Sequence, residues 1–137
     1  MNGSHAEIPA RVISEFKKIV GKDSVITERD ELIVYEADGL GWMKRFPNLV
    51  LIPRTRDEVV AIVKVCHRER IPFVARGSGT GLSGGCLPER NAIVISLVRL
   101  NRILEVNYND RYIVVESGVM NLILNNLVEP QGYFYAP

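Results

Sequence analysis

Residues 49–85 read LVLIPRTRDEVVAIVKVCHRERIPFVARGSGTGLSGG. The stretch opens on a short unbroken apolar run, Leu49-Val50-Leu51-Ile52, closed by Pro53, the pattern of a strand buried on both faces. Thr55 and Glu58 have the spacing of a capping box. Behind them Val59, Ile62, Val63 and Cys66, supplemented by Val60, recur at helical spacing up to about residue 70. Ile71-Pro72 breaks that helix, and Phe73, Val74 and Ala75 resume an extended chain. Strand, helix, strand predicts a right-handed crossover joining two parallel strands. The second strand runs directly into Arg76-Gly77-Ser78-Gly79-Thr80-Gly81-Leu82-Ser83-Gly84-Gly85.

Five of the residues 77–85 are glycine, a density that costs backbone entropy. It is worthwhile where the backbone must take positive φ or admit a ligand closely. Successive amides in such a loop form a nest of N–H donors around one anion. The end of a strand in an α/β unit is where ligands sit. Arg76 is the only cation in the loop. A diphosphate held here must therefore draw on amides, at roughly 1.5–3 kcal/mol for each charge-assisted hydrogen bond. The Arg76 side chain is free to meet either the anion or solvent. The hydroxyls of Ser78, Thr80 and Ser83 either donate to phosphate or cap local backbone. The alternative for the whole loop is a surface turn whose glycines serve only geometry.

Two familiar phosphate motifs are disfavoured. A P-loop closes on Gly-Lys-Ser/Thr, and no lysine follows these glycines. Gly79, Gly81 and Gly84 do satisfy GxGxxG, with Glu105 downstream, but that motif must open a helix. Here Gly84-Gly85 and Pro88 occupy the would-be helix and a new strand begins by Ala92, so a nicotinamide dinucleotide site of that type is not expected.

Working outward, residues 8–20 carry Val12, Ile13, Phe16, Ile19 and Val20 at helical spacing, with Pro9 in the first turn and Gly21 as the stop. Thr27 and Asp30 predict a second capped helix ahead of Leu32, Ile33 and Tyr35. A loop with Gly39, Gly41 and the sole tryptophan, Trp42, follows. Beyond the glycine loop, residues 92–97 read as a third buried strand. Residues 103–106 and 112–116 read as a hairpin turning at Asn109-Asp110, and residues 119–128 as a helix stopped by Glu129-Pro130. Tyr133-Phe134-Tyr135-Ala136-Pro137 reads as an extended segment whose aromatics need a partner surface. The chain is accordingly expected to be a piece of a longer protein. The fold class expected is α+β, a small parallel βαβ sheet flanked by helices plus an antiparallel part.

The 137 residues suffice for one domain with a real core. A formal net charge of +1 and no basic stripe give no reason to expect nucleic acid as a partner. Cys66 and Cys86 form no CxxC pair or Cys/His cluster, so neither a disulfide framework nor a metal site is expected, and reduced thiols fit a cytoplasmic location. His5, in the polar leader, and His67, on a helix end, are read as solvated. No apolar run is long enough for a transmembrane helix.

The loop of residues 76–85 resembles the pyrophosphate loop of flavoproteins in the p-cresol methylhydroxylase and vanillyl-alcohol oxidase superfamily. Within it the likeness is to the FAD-linked D subunit of glycolate oxidase and related D-lactate dehydrogenases. It extends to Glu36-Ala37-Asp38-Gly39, residues 53–59, Val65-Cys66-His67, residues 97–104, Gly118-Val119 and Tyr135-Ala136-Pro137, and covers the chain from about Ser24. Residues 1–22, ahead of this likeness, are expected from their helical spacing to form an amino-terminal helix. The resemblance implies that residues 23–137 form part of an FAD-binding domain built of two subdomains with FAD between them: the βαβ subdomain and part of the antiparallel one. It also implies FAD contacts at Pro53, Arg76, Gly77, Ser78, Gly79, Thr80, Gly81, Leu82, Ser83, Gly84 and Gly118.

The same resemblance implies that the chain continues into a second glycine-rich segment and a substrate domain. No catalytic residue is therefore assigned to these residues. The parent enzyme it implies oxidises a 2-hydroxy acid, glycolate or D-lactate, as a cytoplasmic protein peripheral at the inner membrane and associated with other oxidase subunits. Some members attach FAD covalently through a histidine in the loop. The counterpart here is Thr80, so non-covalent FAD is expected. Two other readings stay open: the same fold with another substrate, and a non-catalytic nucleotide-binding or assembly module.

Overall fold

The computed structural model describes residues 8–136. Its central feature is a four-stranded sheet in the order β1 (Val25–Ile26), β2 (Val50–Leu51), β4 (Ile93–Ser96), β3 (Phe73–Arg76). Strand β4 runs parallel to both of its neighbours, pairing Val50 with Val94 on one side and Val74 with Val94 on the other. Strand β1 is antiparallel to β2 at the edge, a pairing the sequence reading did not anticipate. The expected βαβ unit is present as β2, helix α3 (Arg56–Glu69) and β3, with the two strands parallel but separated by β4.

Every residue of β4 is buried, because both faces of the sheet are covered. Alternation then sorts its side chains. Ile93 and Ile95 join Leu49, Leu51, Ile62, Val65 and Cys66 under helices α1 (Ala10–Val20) and α3. Val94 points the other way, to Val50, Ile52 and Leu32, where the short helix α2 (Arg29–Leu32) closes the second face. Helix α1 contributes Val12 and Phe16, both fully buried.

Several local expectations are corrected. Pro9 is the N-cap of α1 rather than part of its first turn. Thr27 does not cap α2, which starts from Glu28 without a side-chain cap. At α3 the Thr55 hydroxyl accepts from the Glu58 N–H at 3.2 Å as expected. The Glu58 carboxylate, however, returns to the Arg54 N–H, one residue before the usual position, at 2.6 Å. Val60 is exposed, and Val65 replaces it in the buried stripe. The helix ends on Arg70 at φ 55°, whose N–H donates to the Cys66 and His67 carbonyls.

After β4 the chain forms a separate two-stranded antiparallel ribbon, β5 (Ile103–Asn107) and β6 (Tyr112–Val115), irregular between Ile103 and Glu105. The turn is held by the Asn107 carbonyl oxygen of the side chain, which accepts from the Asp110 N–H at 2.9 Å. Helix α4 (Asn121–Val128) begins two residues later than expected, and Glu129-Pro130 extends it by a 3-10 turn rather than stopping it. Tyr133 finds a partner surface: its ring lies 5.5 Å from that of Tyr108, and its hydroxyl donates to the Tyr108 carbonyl at 3.1 Å.

Helices α1 and α3 are laced by ion pairs on their outer side. Arg11 donates twice to the Glu69 carboxylate, at 2.9 and 2.6 Å, and Arg68 donates to Glu15 and Glu69. The hydrogen bonds from Arg11 and then Arg68 hold the Glu69 carboxyl at about 2, against an ordinary value of 4.5. A lowered folded value means that the unfolded chain takes up this proton first. The stabilisation from Glu69 is thus complete above pH 4.5 and lost as pH falls towards about 2. The melting-temperature difference between wild type and Glu69→Gln is expected at neutral pH and should disappear on acidification through that window. A thermal-unfolding series over pH measures it.

Candidate functional site

The glycine loop leaves the carboxyl end of β3 at Arg76, the end of the sheet where a parallel strand neighbour stops pairing after Ser96. Residues Gly77, Ser78, Gly79, Thr80, Gly81, Leu82, Ser83, Gly85 and Cys86 line a concavity of about 410 Å³. Among the described residues, the amide N–H groups of residues 77–83 and of Gly85 meet no protein acceptor. The hydroxyls of Ser78, Thr80 and Ser83 are exposed and do not cap local backbone. Leu82 projects into solvent at 63 % exposure.

The glycines divide into two kinds. Gly79 and Gly84 have positive φ, 75° and 74°. A Cβ on Gly79 would stand 2.1 Å from the Arg76 Nη2. Gly77, Gly81 and Gly85 have ordinary φ and open space where a Cβ would be. Nothing in the folded chain requires glycine at those three positions.

Of the two roles left open for Arg76, solvation is not the one it takes. Its side chain is 7 % exposed and folds back beneath the loop. There Nη1 donates to the Ala37 carbonyl at 2.9 Å and to the Cys86 sulfur at 3.4 Å, and the guanidinium lies 5.7 Å from the Tyr35 ring. The cation is therefore a strut of the loop, placing positive charge behind the amides rather than at the rim.

The segment before Pro47 is fastened to the loop. The Asp38 carboxylate accepts from the Leu40 and Gly41 amides through Oδ1, at 3.0 and 3.1 Å, and from the Gly84 amide through Oδ2 at 2.9 Å. The bonds from Gly41 and Gly84, ahead of that from Leu40, hold this carboxyl below its ordinary range. Gly39 donates to the Gly81 carbonyl at 2.9 Å. Its own missing Cβ would stand 2.6 Å from the Thr80 carbonyl oxygen. The sequence reading missed Asp38 as a contact of the loop. The signal available was the Glu36-Ala37-Asp38-Gly39 stretch, noted only as part of a resemblance.

Pro53 and Gly118 do not line the concavity. The Pro53 ring is fully buried. Gly118 is needed for packing, since a Cβ there would stand 2.3 Å from the Leu97 carbonyl oxygen. A second cavity of about 720 Å³ lies between the β5–β6 ribbon, α4 and Tyr133-Phe134-Tyr135, away from the loop. Cys66 sits in the core, where burial pushes its thiol up to about 11, and it is free, as is Cys86. His67 is exposed, while His5 lies outside the described residues. Among the described residues no His, Cys, Asp or Glu cluster is placed to hold a metal ion, and no helix is long and apolar enough to cross a membrane.

A glycine-lined loop of unspent amides at the carboxyl end of a parallel strand defines a nucleotide-binding α+β domain. The comparisons are specific about which. Residues 47–137 match the family described as FAD binding domain, and the chain belongs to that family. It is 44 % identical over 108 residues to the glycolate oxidase subunit GlcD of Escherichia coli strain K12, covering 79 % of this chain and 22 % of that protein. It is 32 % identical over 127 residues to the D-2-hydroxyglutarate dehydrogenase of Stutzerimonas stutzeri, covering 90 % and 27 %. Among solved structures, 4-ethylphenol oxidase from Gulosibacter chungangensis superposes with a TM-score of 0.81 at 28 % identity, over 96 % of this chain and 26 % of that one. Substrate-bound p-cresol methylhydroxylase gives 0.78 at 23 % identity, over 89 % and 24 %. The chain thus spans about a quarter of the length of these relatives. The α+β fold expected from the sequence, with a parallel-strand sheet and an antiparallel ribbon, is the fold these structures share.

The two kinds of glycine should separate on mutation. Gly39→Ala forces a methyl group against the Thr80 backbone and is expected to cost about 1–3 kcal/mol. Gly81→Ala meets nothing within 4 Å and is expected to be neutral or slightly stabilising, because it restricts the unfolded chain. Chemical denaturation of the two variants makes the comparison.

Proposed function

We propose that this chain holds the adenine-diphosphate portion of a non-covalently bound FAD, as the amino-terminal part of a flavin-dependent enzyme that oxidises a 2-hydroxy acid such as glycolate or D-lactate. The observation that carries the binding site is the set Gly77, Gly81 and Gly85. Each lacks a side chain where the fold has room for one, beside amides with no acceptor. Close approach of a ligand accounts for both facts together. The amides of residues 77–83 supply the donors, and the buried Arg76 guanidinium supplies charge from behind. The hydroxyls of Ser78, Thr80 and Ser83 are available at the rim. Leu82 and Gly84 belong to the same contact set by position, and Pro53 and Gly118 on family resemblance alone.

The substrate class rests on the relatives. Those named for glycolate, D-lactate and D-2-hydroxyglutarate all carry a 2-hydroxy acid in their names. When bound, the flavin supplies two-electron acceptance from such an acid, leaving the 2-oxo acid. The residues described here bind and orient. A cytoplasmic setting, peripheral to the inner membrane, and further oxidase subunits are part of the same proposal, the latter supported by the word subunit in the name of the glycolate oxidase relative. Thr80 carries no imidazole with which to attach the isoalloxazine ring, so mass spectrometry under denaturing conditions should return unmodified protein.

The test of the site uses ADP, which has the diphosphate without the flavin. Titrated into the isotopically labelled chain, ADP is expected to shift the amide resonances of residues 77–83, with AMP acting more weakly. FAD should bind the isolated chain weakly, because only part of its length meets protein. Amides at 77–83 that stay unmoved at millimolar ADP, or tight stoichiometric FAD binding elsewhere, would overturn the assignment. Gly81→Ala should keep its fold and lose about tenfold in ADP affinity, the equivalent of one charge-assisted hydrogen bond.

A further inference from the structure

We propose that Asp38 is a positioning residue for this anion site: its carboxylate holds the Gly84 amide so that residues 77–83 keep the curvature of a preformed cradle. The inference rests on reading the loop as a diphosphate site.

The charge of Asp38 has the wrong sign to attract a diphosphate. A half-buried carboxylate beside an anion site works against binding by simple electrostatics. What its geometry offers instead is a fastening. Three consecutive residues each hold one point of the loop. The Ala37 carbonyl accepts from Arg76 at the root, Gly39 donates to the Gly81 carbonyl in the middle, and the Asp38 carboxylate accepts from Gly84 at the end, each bond at 2.9 Å. Gly39 approaches so closely that its hydrogen faces the Thr80 carbonyl, which leaves the loop no room to tilt towards it.

Between these points the amides of residues 77–83 remain unspent. A glycine-rich loop without such fastening would have to be ordered by its ligand, and the lost chain entropy would appear as lost affinity. Asp38 is the one member of the clasp that acts through a removable side-chain acceptor and also anchors its own turn, through Leu40 and Gly41.

The experiment is the ADP titration repeated on Asp38→Ala and Asp38→Asn, with melting temperatures measured alongside and binding read well below each transition. Asn keeps one acceptor oxygen and removes the charge. Positioning predicts about tenfold weaker ADP binding for Asp38→Ala and an intermediate loss, about threefold, for Asp38→Asn, although both variants remove a repulsive charge. The ADP-induced shifts at Gly79, Thr80 and Gly81 should shrink in the same order, and amide exchange at Gly84 should accelerate. Binding by Asp38→Asn equal to or tighter than wild type overturns the proposal, and does so equally if Asp38→Ala fails to fold. If wild type itself shows no response to ADP, the diphosphate reading fails instead, so the two failures are distinct.

Discussion

Strand β4 has to be buried on both faces and bonded on both edges, and most of the architecture follows from that demand. Ile93, Ile95 and Val94 alternate between two cores, so a helical layer is required on each side of the sheet. Helices α1 and α3 cover one, and α2 with its following turn covers the other. Because β4 lies between β2 and β3, all three parallel strands end on the same side, and the loop after β3 emerges there. Each apolar side chain fully buried in this way is worth roughly 1.5–3 kcal/mol. The layers therefore fix β4, and β3 is paired along its whole length to that buried strand.

The candidate site is built at the carboxyl end of β3 by backbone rather than by side chains. Its donors are amides, which have fixed positions and cost no rotamer entropy on binding. The single cation is withdrawn beneath them, where the Ala37 carbonyl and the Tyr35 ring compensate its burial. On the proposed reading, such a site recognises a diphosphate through its backbone amides rather than through a side-chain cation.

Much of this was legible in the residues themselves. The apolar run at Leu49-Val50-Leu51-Ile52 and the periodicity of α3 declare a strand and a helix because their spacing matches the geometry of each element. The glycine density of residues 77–85 announced a backbone with an unusual task. Less legible were the contacts made by residues far apart in the chain. Val25 and Ile26 look unremarkable until they pair with Leu51 and Val50. Nothing along the chain signals that Gly118 packs so closely against the Leu97 carbonyl that a Cβ has no room there. Thr27 has the spacing of a cap but not the geometry, since α2 starts at Arg29.

By itself, then, the sequence determined the class of most segments, the α+β character and the place of the glycine loop, because these depend on local periodicity and on the conformational freedom of glycine. Only the tertiary structure decided that β4 inserts between β2 and β3, that Arg76 turns inward, and that Asp38 reaches Gly84. Those outcomes depend on which distant groups are left needing a partner once the sheet has closed, and no spacing along the chain encodes that.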